Sequence, residues 1–276
     1  MKIVLANSSA AALCIVAMGL SCALPAFSDF DLNTAVAIWH MDEGEGEETK
    51  DSSNSGNHGK LWRGPLWVDG RFGKALEFDG QSFVWIKEAK NIQEGTTPRT
   101  LMCHFKWTEI RDWGDAVPWV TDAETMLCVG IRNWRSCVRL QISVQGGPTV
   151  DTFDDRQYFE WDGDTDWHHF AGVFPEGATT SDGFLLYFDG VLQEDTLMDD
   201  DVNAINTVGG EATIGCWTGK LTNFFNGTVD DAAVFPFAMA AEDIASVARR
   251  GLVKGQTLDV SPKGKLAMSW GTLKER

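Results

Sequence analysis

Positive charge is scarce in this sequence: 276 residues carry 23 lysines and arginines against 40 aspartates and glutamates, for a formal net charge of −17. Such a surface repels phosphate backbones and anionic lipid headgroups, so nucleic-acid and membrane-surface binding are excluded as the main activity, and cations become the natural small partners. Long apolar runs are missing as well. The run "AAALCIVAMGL" at residues 10–20 is far shorter than the roughly 20 residues that a membrane-spanning helix needs. It follows Met1-Lys2 and precedes the small residues Ala26 and Ser28 just ahead of Asp29, which is the order of a secretory signal peptide over residues 1–28. A lipoprotein anchor at Cys22 in "GLSC" is the second reading. Removal of residues 1–28 takes away Lys2 and no acid, leaving a net charge of about −18. The expectation is a chain exported to the medium, the cell surface or the periplasm, with no membrane span in its mature form.

The usual signatures of catalysis and cofactor binding are also absent. No GxSxG, HExxH or phosphate-binding loop occurs, and no Ser-His-Asp or Cys-His arrangement can be picked out by motif. Cysteine is sparse, and none shows the CxxC spacing of a zinc or redox site. Beyond residue 28 there remain Cys103, Cys128, Cys137 and Cys216. In an oxidising compartment four cysteines pair in three ways, or stay as small buried thiols, and the sequence does not choose. Cys128 and Cys137 flank a short polar stretch, "VGIRNWRS", between two strand-like runs, which would suit a bridge across a hairpin.

Helical segments are missing from Val36 to Phe235. In their place stand short runs rich in β-branched and aromatic residues, among them "VAIWHM", "KALEFDG", "FVWIKEA", "RTLMCHFKWT", "CVRLQISVQG", "WHHFAGVF", "EATIGCW" and "TVDDAAVF". Many short strands with no intervening helices indicate an antiparallel sandwich or barrel, not βαβ units. In "GFLLYFDGVLQED" the Asp189-Gly190 pair predicts a two-residue hairpin, because both central positions need positive φ. One helix is expected at "AAEDIASVARRG", residues 240–251, where Ile244, Val247 and Ala248 share a face, acids occupy the first turn, arginines the last, and Gly251 stops it. With no linker and no fixed-period repeat, residues 29–252 read as one domain, followed by a more basic tail at 253–276.

Five stretches taken in order, "AIWHMDEGEGEETKDSSNSGNHGKL", "GRFGKALEFDGQSFVWI", "TDWHHFAGVF", "FLLYFDGVLQ" and "FNGTVDDAAVFPFAMAAEDI", resemble the segments of bacterial laminin-G-like domains of the concanavalin A-like lectin/glucanase superfamily. The resemblance spans roughly residues 35–252. It implies an all-β, two-sheet antiparallel jelly roll with a curved concave face that many relatives use to bind glycans or protein partners. It also implies, in many members, a structural calcium ion where the first and last strands meet. Lectins, adhesion modules and glycosidases share this fold, so the fold alone does not name the function.

The loop "KDSSNSGNHGKLW" is the calcium candidate. Calcium takes six to eight oxygens from carboxylates, amides and carbonyls, and Asp51, Asn54 and Asn57 offer such groups beside Gly56 and Gly59. An EF-hand is excluded, since Ser53 and Ser55 replace its third and fifth ligands and Trp62 stands at the position of its bidentate acid. The resemblance adds Asp42 and Asp230 to this ligand set. The competing reading is a turn whose Asx side chains bond their own backbone.

A second acidic cluster, "FEWDGDTDW", places Glu160, Asp162, Asp164 and Asp166 at alternate positions. Jelly-roll glucanases use a similar row of carboxylates, which would cast Glu160 and Asp162 as catalytic. Gly163 interrupts the row and no glutamate closes it, so a second cation site or a solvated turn stand beside that reading. Twelve tryptophans are many for this length. Trp39, Trp85, Trp107 and Trp167 lie in strand patterns and are expected in the core. Trp113, Trp119, Trp134, Trp161 and Trp217 lie in loop-like contexts and are candidate platforms for stacking sugars, or pack beneath long loops. His168 and His169 are adjacent in a strand and must point to opposite faces, one inward and one outward. The sequence therefore predicts an exported, non-catalytic binding module for extracellular glycan or a surface protein, with suspected structural calcium.

Overall fold

The computed structural model describes residues 31–108, 166–180, 183–193, 210–216, 221–222 and 224–252 in full. It also describes the backbone of strands at 114–122, 125–131, 139–142, 150–154 and 196–198.

Two antiparallel layers face one another, with strands numbered here in chain order. The larger sheet holds β1 (Ala37–Trp39), β4 (Leu66–Asp69), β5 (Lys74–Asp79), β7 (Arg99–Trp107), β12 (His168–Phe174), β13 (Leu185–Phe188), β14 (Val191–Leu192) and β17 (Asn226–Phe235). Its order is β14-β13-β12-β7-β17-β5-β4, with β1 also on β17. The second sheet holds β2 (Glu48–Thr49), β3 (Gly59–Trp62), β6 (Phe83–Ile86) and β16 (Ala212–Ile214), in the order β16-β6-β3-β2. Beside β16 runs β8 (Gly114–Asp122), paired with β9 (Thr125–Ile131). Beyond β9 come β10 (Arg139–Ile142), β11 (Val150–Asp154) and β15 (Thr196–Met198), paired in that order.

The side-chain period of two explains the layering. On β7, Leu101, Cys103 and Phe105 point between the sheets, where they meet Val84, Ile86, Ala212 and Ile214 of the second sheet and Trp39, Phe78, Phe170 and Val234 of the first. The alternate residue Met102 points outward, with Ala171, Ala233 and Phe235. That outer face is covered by helix α1 (Ala241–Arg250), which lays Ile244 and Val247 onto it. β7 is thus buried on both faces, which is why it reads as a nearly continuous apolar run.

The Asp-Gly hairpin forms as predicted, with φ of 50° at Asp189 and 79° at Gly190 joining β13 to β14. The helix carries Glu242 and Asp243 in its first turn and Arg249 and Arg250 in its last, and Gly251 at φ 73° terminates it. Trp39 and Trp107 belong to the core, at 1% and 4% exposure. Trp85 and Trp167 do not: both are half-buried, Trp85 because its position on β6 faces away from the layer between the sheets and Trp167 because it lies just ahead of β12.

β17 is the centre of the larger sheet. Along one edge it pairs with β7; along the other, β5 takes residues 226–229 and β1 takes 232–234. A bulge interrupts its register between Asp230 and Ala233, with Asp231 at φ 45°. An extra residue there lets the two neighbouring aspartates serve the same outer side, where a regular strand would separate them.

Candidate functional site

The five residues expected to hold calcium form two separate hydrogen-bonded caps. Asp51 is enclosed by donors: Oδ1 accepts from the backbone N–H of Ile38 at 2.9 Å and of Ser53 at 2.8 Å, and Oδ2 from the Asn57 N–H at 2.8 Å and the Ser53 hydroxyl at 2.7 Å. Asn57 accepts the Lys90 N–H at 2.7 Å and donates to the Val36 and Lys90 carbonyls at 2.9 and 3.1 Å. Its own carbonyl accepts the Trp39 indole N–H at 2.8 Å. Asn54 donates to the Asn33 carbonyl at 3.4 Å. Asp42 and Asp230 instead serve the turn at residues 70–73, which joins β4 to β5. Asp42 accepts the Lys74 N–H at 2.9 Å, and Asp230 Oδ2 accepts those of Arg71 and Phe72 at 2.8 and 2.9 Å.

A carboxylate facing four hydrogen donors has its lone pairs engaged and sees positive dipoles, the opposite of a cation cage. As a set, these residues do not fit a calcium ion, and the bonds made by residues 51–57 are those of a self-capped turn that fastens β1. Among the described residues, no group of three or more His, Cys, Asp or Glu is arranged to hold a metal.

Beneath the 70–73 turn lies a closed polar row. Asp230, His104 and His169 occupy directly opposed positions on β17, β7 and β12, each 0% exposed. His104 Nε2 donates to the Ala248 carbonyl in the last turn of α1 at 3.2 Å. The two imidazoles are 4.6 Å apart, and Phe72 packs edge-on to His104 at 4.9 Å. Among the described residues, His104 Nδ1, both ring nitrogens of His169 and Asp230 Oδ1 have no hydrogen-bond partner. Burial pushes the His104 pKa down to about 4, and burial together with His104 pushes His169 well below the usual imidazole range. Burial raises Asp230 to about 7, with repulsion from Asp231 adding to it. Beside this row, Asp231 accepts from His40 Nδ1 at 3.0 Å and from the Leu252 N–H at 2.8 Å. The row is chemically unusual but sealed by the turn and the helix.

His168 and His169 do face opposite ways, yet the expected exposed member is absent: His168 is 8% exposed and bonds Asp189 Oδ2 at 2.9 Å, stacked on Phe188. Both faces of β12 are covered, which alternation alone cannot reveal. Cys103 and Cys216 are both buried at 0% exposure, which is the alternative of small buried core side chains, and burial raises the Cys103 thiol, with Asp230 adding to it. Cys137, Trp113, Trp134, Trp161, Trp217, Glu160 and Asp162 lie outside the described residues, as do the side chains of Cys128 on β9 and Trp119 on β8.

An open aromatic surface appears where the sequence did not place one, on the solvent side of the second sheet. In β3, Gly59 and Leu61 turn toward the core while Lys60 and Trp62 turn out, and in β6 Phe83 and Trp85 stand opposite Trp62 and Lys60. Trp62 is 39% exposed. Its ring meets Trp85 edge-on at 5.7 Å and Phe83 at 6.5 Å. Lys60 Nζ lies 5.8 Å from the Trp62 ring centre and Lys87 Nζ 5.9 Å from that of Trp85. The Arg63 guanidinium lies 5.5 Å from the ring of Phe224. Beside Trp62 opens a hollow of about 520 Å³ between Gly46-Glu47 and residues 60–65.

The hollow is shaped by a tight turn, with φ of 60° at Arg63 and 73° at Gly64, and by the Trp67 indole, which holds the Gly46 carbonyl at 3.0 Å. A non-glycine residue in the left-handed region costs of order 1 kcal/mol or more and persists where the surroundings enforce it. Local sequence did carry a signal for this surface: the alternation in "GKLW" puts Trp62 on the same side as Lys60, hence toward water.

With this geometry in hand, comparisons with known proteins are informative. Domain 4 of AbnA, a GH43 extracellular arabinanase from Geobacillus stearothermophilus, solved with arabinotriose, matches with a TM-score of 0.59 at 16% identity, over 78% of this chain and 98% of that one. The binding domain of Paraclostridial Mosquitocidal Protein 1 matches with a TM-score of 0.59 at 13% identity, over 78% of this chain and 52% of that one. The binding domain of botulinum neurotoxin DC in complex with SialylT matches with a TM-score of 0.56 at 12% identity, over 80% and 53%. This chain therefore spans about half the length of the toxin domains. At these identities the likeness is one of fold. No curated protein matches. A laminin G family model of the concanavalin A-like lectin/glucanases superfamily matches residues 78–245, over half of the sequence and including β6, β7, β12, β17 and the first half of the helix. The chain belongs to the concanavalin A-like lectin/glucanase superfamily.

Proposed function

We propose that this protein is an exported, non-catalytic binding module that recognises extracellular carbohydrate through the Trp62–Trp85 face of its second sheet. The observation that carries the reading is Trp62, a large apolar ring 39% exposed on a strand, braced from behind by Trp85. A pyranose presents an apolar C–H face that covers such a ring, while its hydroxyls need donors and acceptors around it. Lys60, Glu47 and Arg63 line the adjoining hollow and supply both. A rigid strand and a braced indole lose little conformational entropy on binding, so most of the contact energy survives as affinity. The structural neighbour solved with arabinotriose and the family's lectin-like fold support the same reading, as does the signal-like N-terminus for export. This reading does not depend on a calcium ion.

Binding to a protein partner is the second reading. It is favoured by Leu66, 63% exposed just after the Arg63-Gly64 turn, and by the neighbouring toxin domain solved with rat synaptotagmin II. Screening the purified protein on an array of extracellular glycans, with Trp62→Ala alongside, separates the two. Carbohydrate recognition predicts at least one glycan bound by the native chain and lost in the variant; retention of all glycan binding in Trp62→Ala would sink this site.

A further inference from the structure

Among the described residues, three cations are grouped around these rings. Lys60, Arg63 and Lys87 are all exposed, each lies against an aromatic ring, and none has a carboxylate in ion-pair reach. The neighbouring acids are Glu47 and Glu48, with Glu48 opposite Lys60 across the β2–β3 pair, Glu88 next to Lys87, and the half-buried Glu211, one position ahead of β16 and level with Lys87. None of these four forms an ion pair with the ammonium groups on the rings. A ring fixes a cation in place by its quadrupole without neutralising it, so the charge stays available to a ligand.

Resting on the carbohydrate reading of this face, we propose that its ligand is an acidic saccharide, a glycan carrying carboxylate or sulfate groups. The sugar ring covers Trp62, and its anionic substituent sits between Lys60 and Lys87, with Arg63 serving a second charge along the chain. In a protein of net charge −17 a neutral glycan would be the easier ligand to approach. Grouped, unpaired cations at the contact point therefore specify charge and do not merely raise solubility.

The test pairs uronate-, sulfate- and sialate-bearing oligosaccharides with their carboxyl-reduced, desulfated and desialylated counterparts, titrated into the protein by calorimetry. The acidic member of at least one pair should bind about tenfold tighter near 50 mM salt, as three exposed charge contacts of a few-fold each imply. That preference should shrink to about twofold at 1 M, where screening extends over only about 3 Å. Lys87→Gln, which lies outside the hollow, should weaken the acidic ligand several-fold and leave its neutral counterpart and the melting temperature unchanged, whereas Lys60→Gln should weaken the acidic ligand more than the neutral one. Trp62→Ala should weaken both members. Equal affinity within every pair, or a preference indifferent to salt and to both lysine substitutions, would overturn the acidic assignment while leaving carbohydrate binding intact. Failure of every member to bind would overturn both.

Discussion

Asp230→Asn should make the fold markedly more sensitive to acid, for reasons set by the sealed row on β17, β7 and β12. His104 and His169 are held neutral by burial. As pH falls through the unfolded imidazole pKa near 6.5, only the unfolded chain takes up their protons, so stability present above 6.5 is lost below it. Asp230 acts in the opposite direction. Its folded carboxyl keeps a proton up to about 7, whereas the unfolded one releases it near 3.9, so falling pH favours the folded state across that interval. Between pH 7 and pH 5 each neutral histidine costs about 2 kcal/mol, and Asp230 adds back about 2. The native protein should thus lose about 1 to 2 kcal/mol, and the asparagine variant about 4.

Asparagine keeps an oxygen for the Arg71 and Phe72 N–H groups, so the 70–73 turn survives the change. For a domain of this size, 1 kcal/mol corresponds to about 2 to 4 °C in melting temperature. The native chain should lose about 3 to 6 °C between pH 7 and pH 5, and the variant about 8 to 16 °C. Far-UV circular dichroism melts at constant ionic strength measure both. All other titrating groups are common to the two proteins and cancel in the comparison, so parallel losses would refute the opposed titrations.

Other substitutions test the remaining elements. Asp51→Ala leaves the buried Ile38 and Asn57 N–H groups without acceptors and should cost about 2 to 5 kcal/mol, read as a lower denaturation midpoint. Gly251→Ala places a methyl 2.4 Å from Asp231 Oδ2 at a φ of 73° and should lower the melting temperature by several degrees by loosening the end of the helix. EDTA should leave the melting temperature unchanged, since a native-state ligand raises it in proportion to its binding; a fall on chelation, reversed by added calcium, would require an ion site that the Asp51 and Asp230 caps do not provide.

The elements legible in the sequence were those governed by neighbours along the chain. The Asp189-Gly190 hairpin, the helix with its buried Ile244–Val247–Ala248 face, and strands such as "KALEFD" and "HHFAGVF" follow from turn chemistry and periodicity. The acidic loop was ambiguous because a self-capped Asx turn and a calcium loop use the same side chains. They differ in whether backbone N–H groups converge on the carboxylate, and Ile38 lies 13 residues away from Asp51 in sequence. Alternation indicates the face of His104, His169 and Asp230, but not that strand register aligns all three in one row. Trp62 occupies the position where an EF-hand would carry its acid, but its alternation with Lys60 along β3 marks it as exposed.

The pairing of β1 with β17 carries a consequence for biosynthesis. Among the described residues, β1 pairs in the larger sheet with Ala232, Ala233 and Val234 of β17, so at typical translation rates the first strand waits about 10 to 40 s for that mate to emerge. Until then, β5 and β7 also lack the strand between them, and the large sheet exists as two halves with open edges. The jelly roll is therefore assembled late, and nearly at once, when β17 inserts. A chain built this way should acquire its protease-resistant state only after β17 has emerged, late in synthesis.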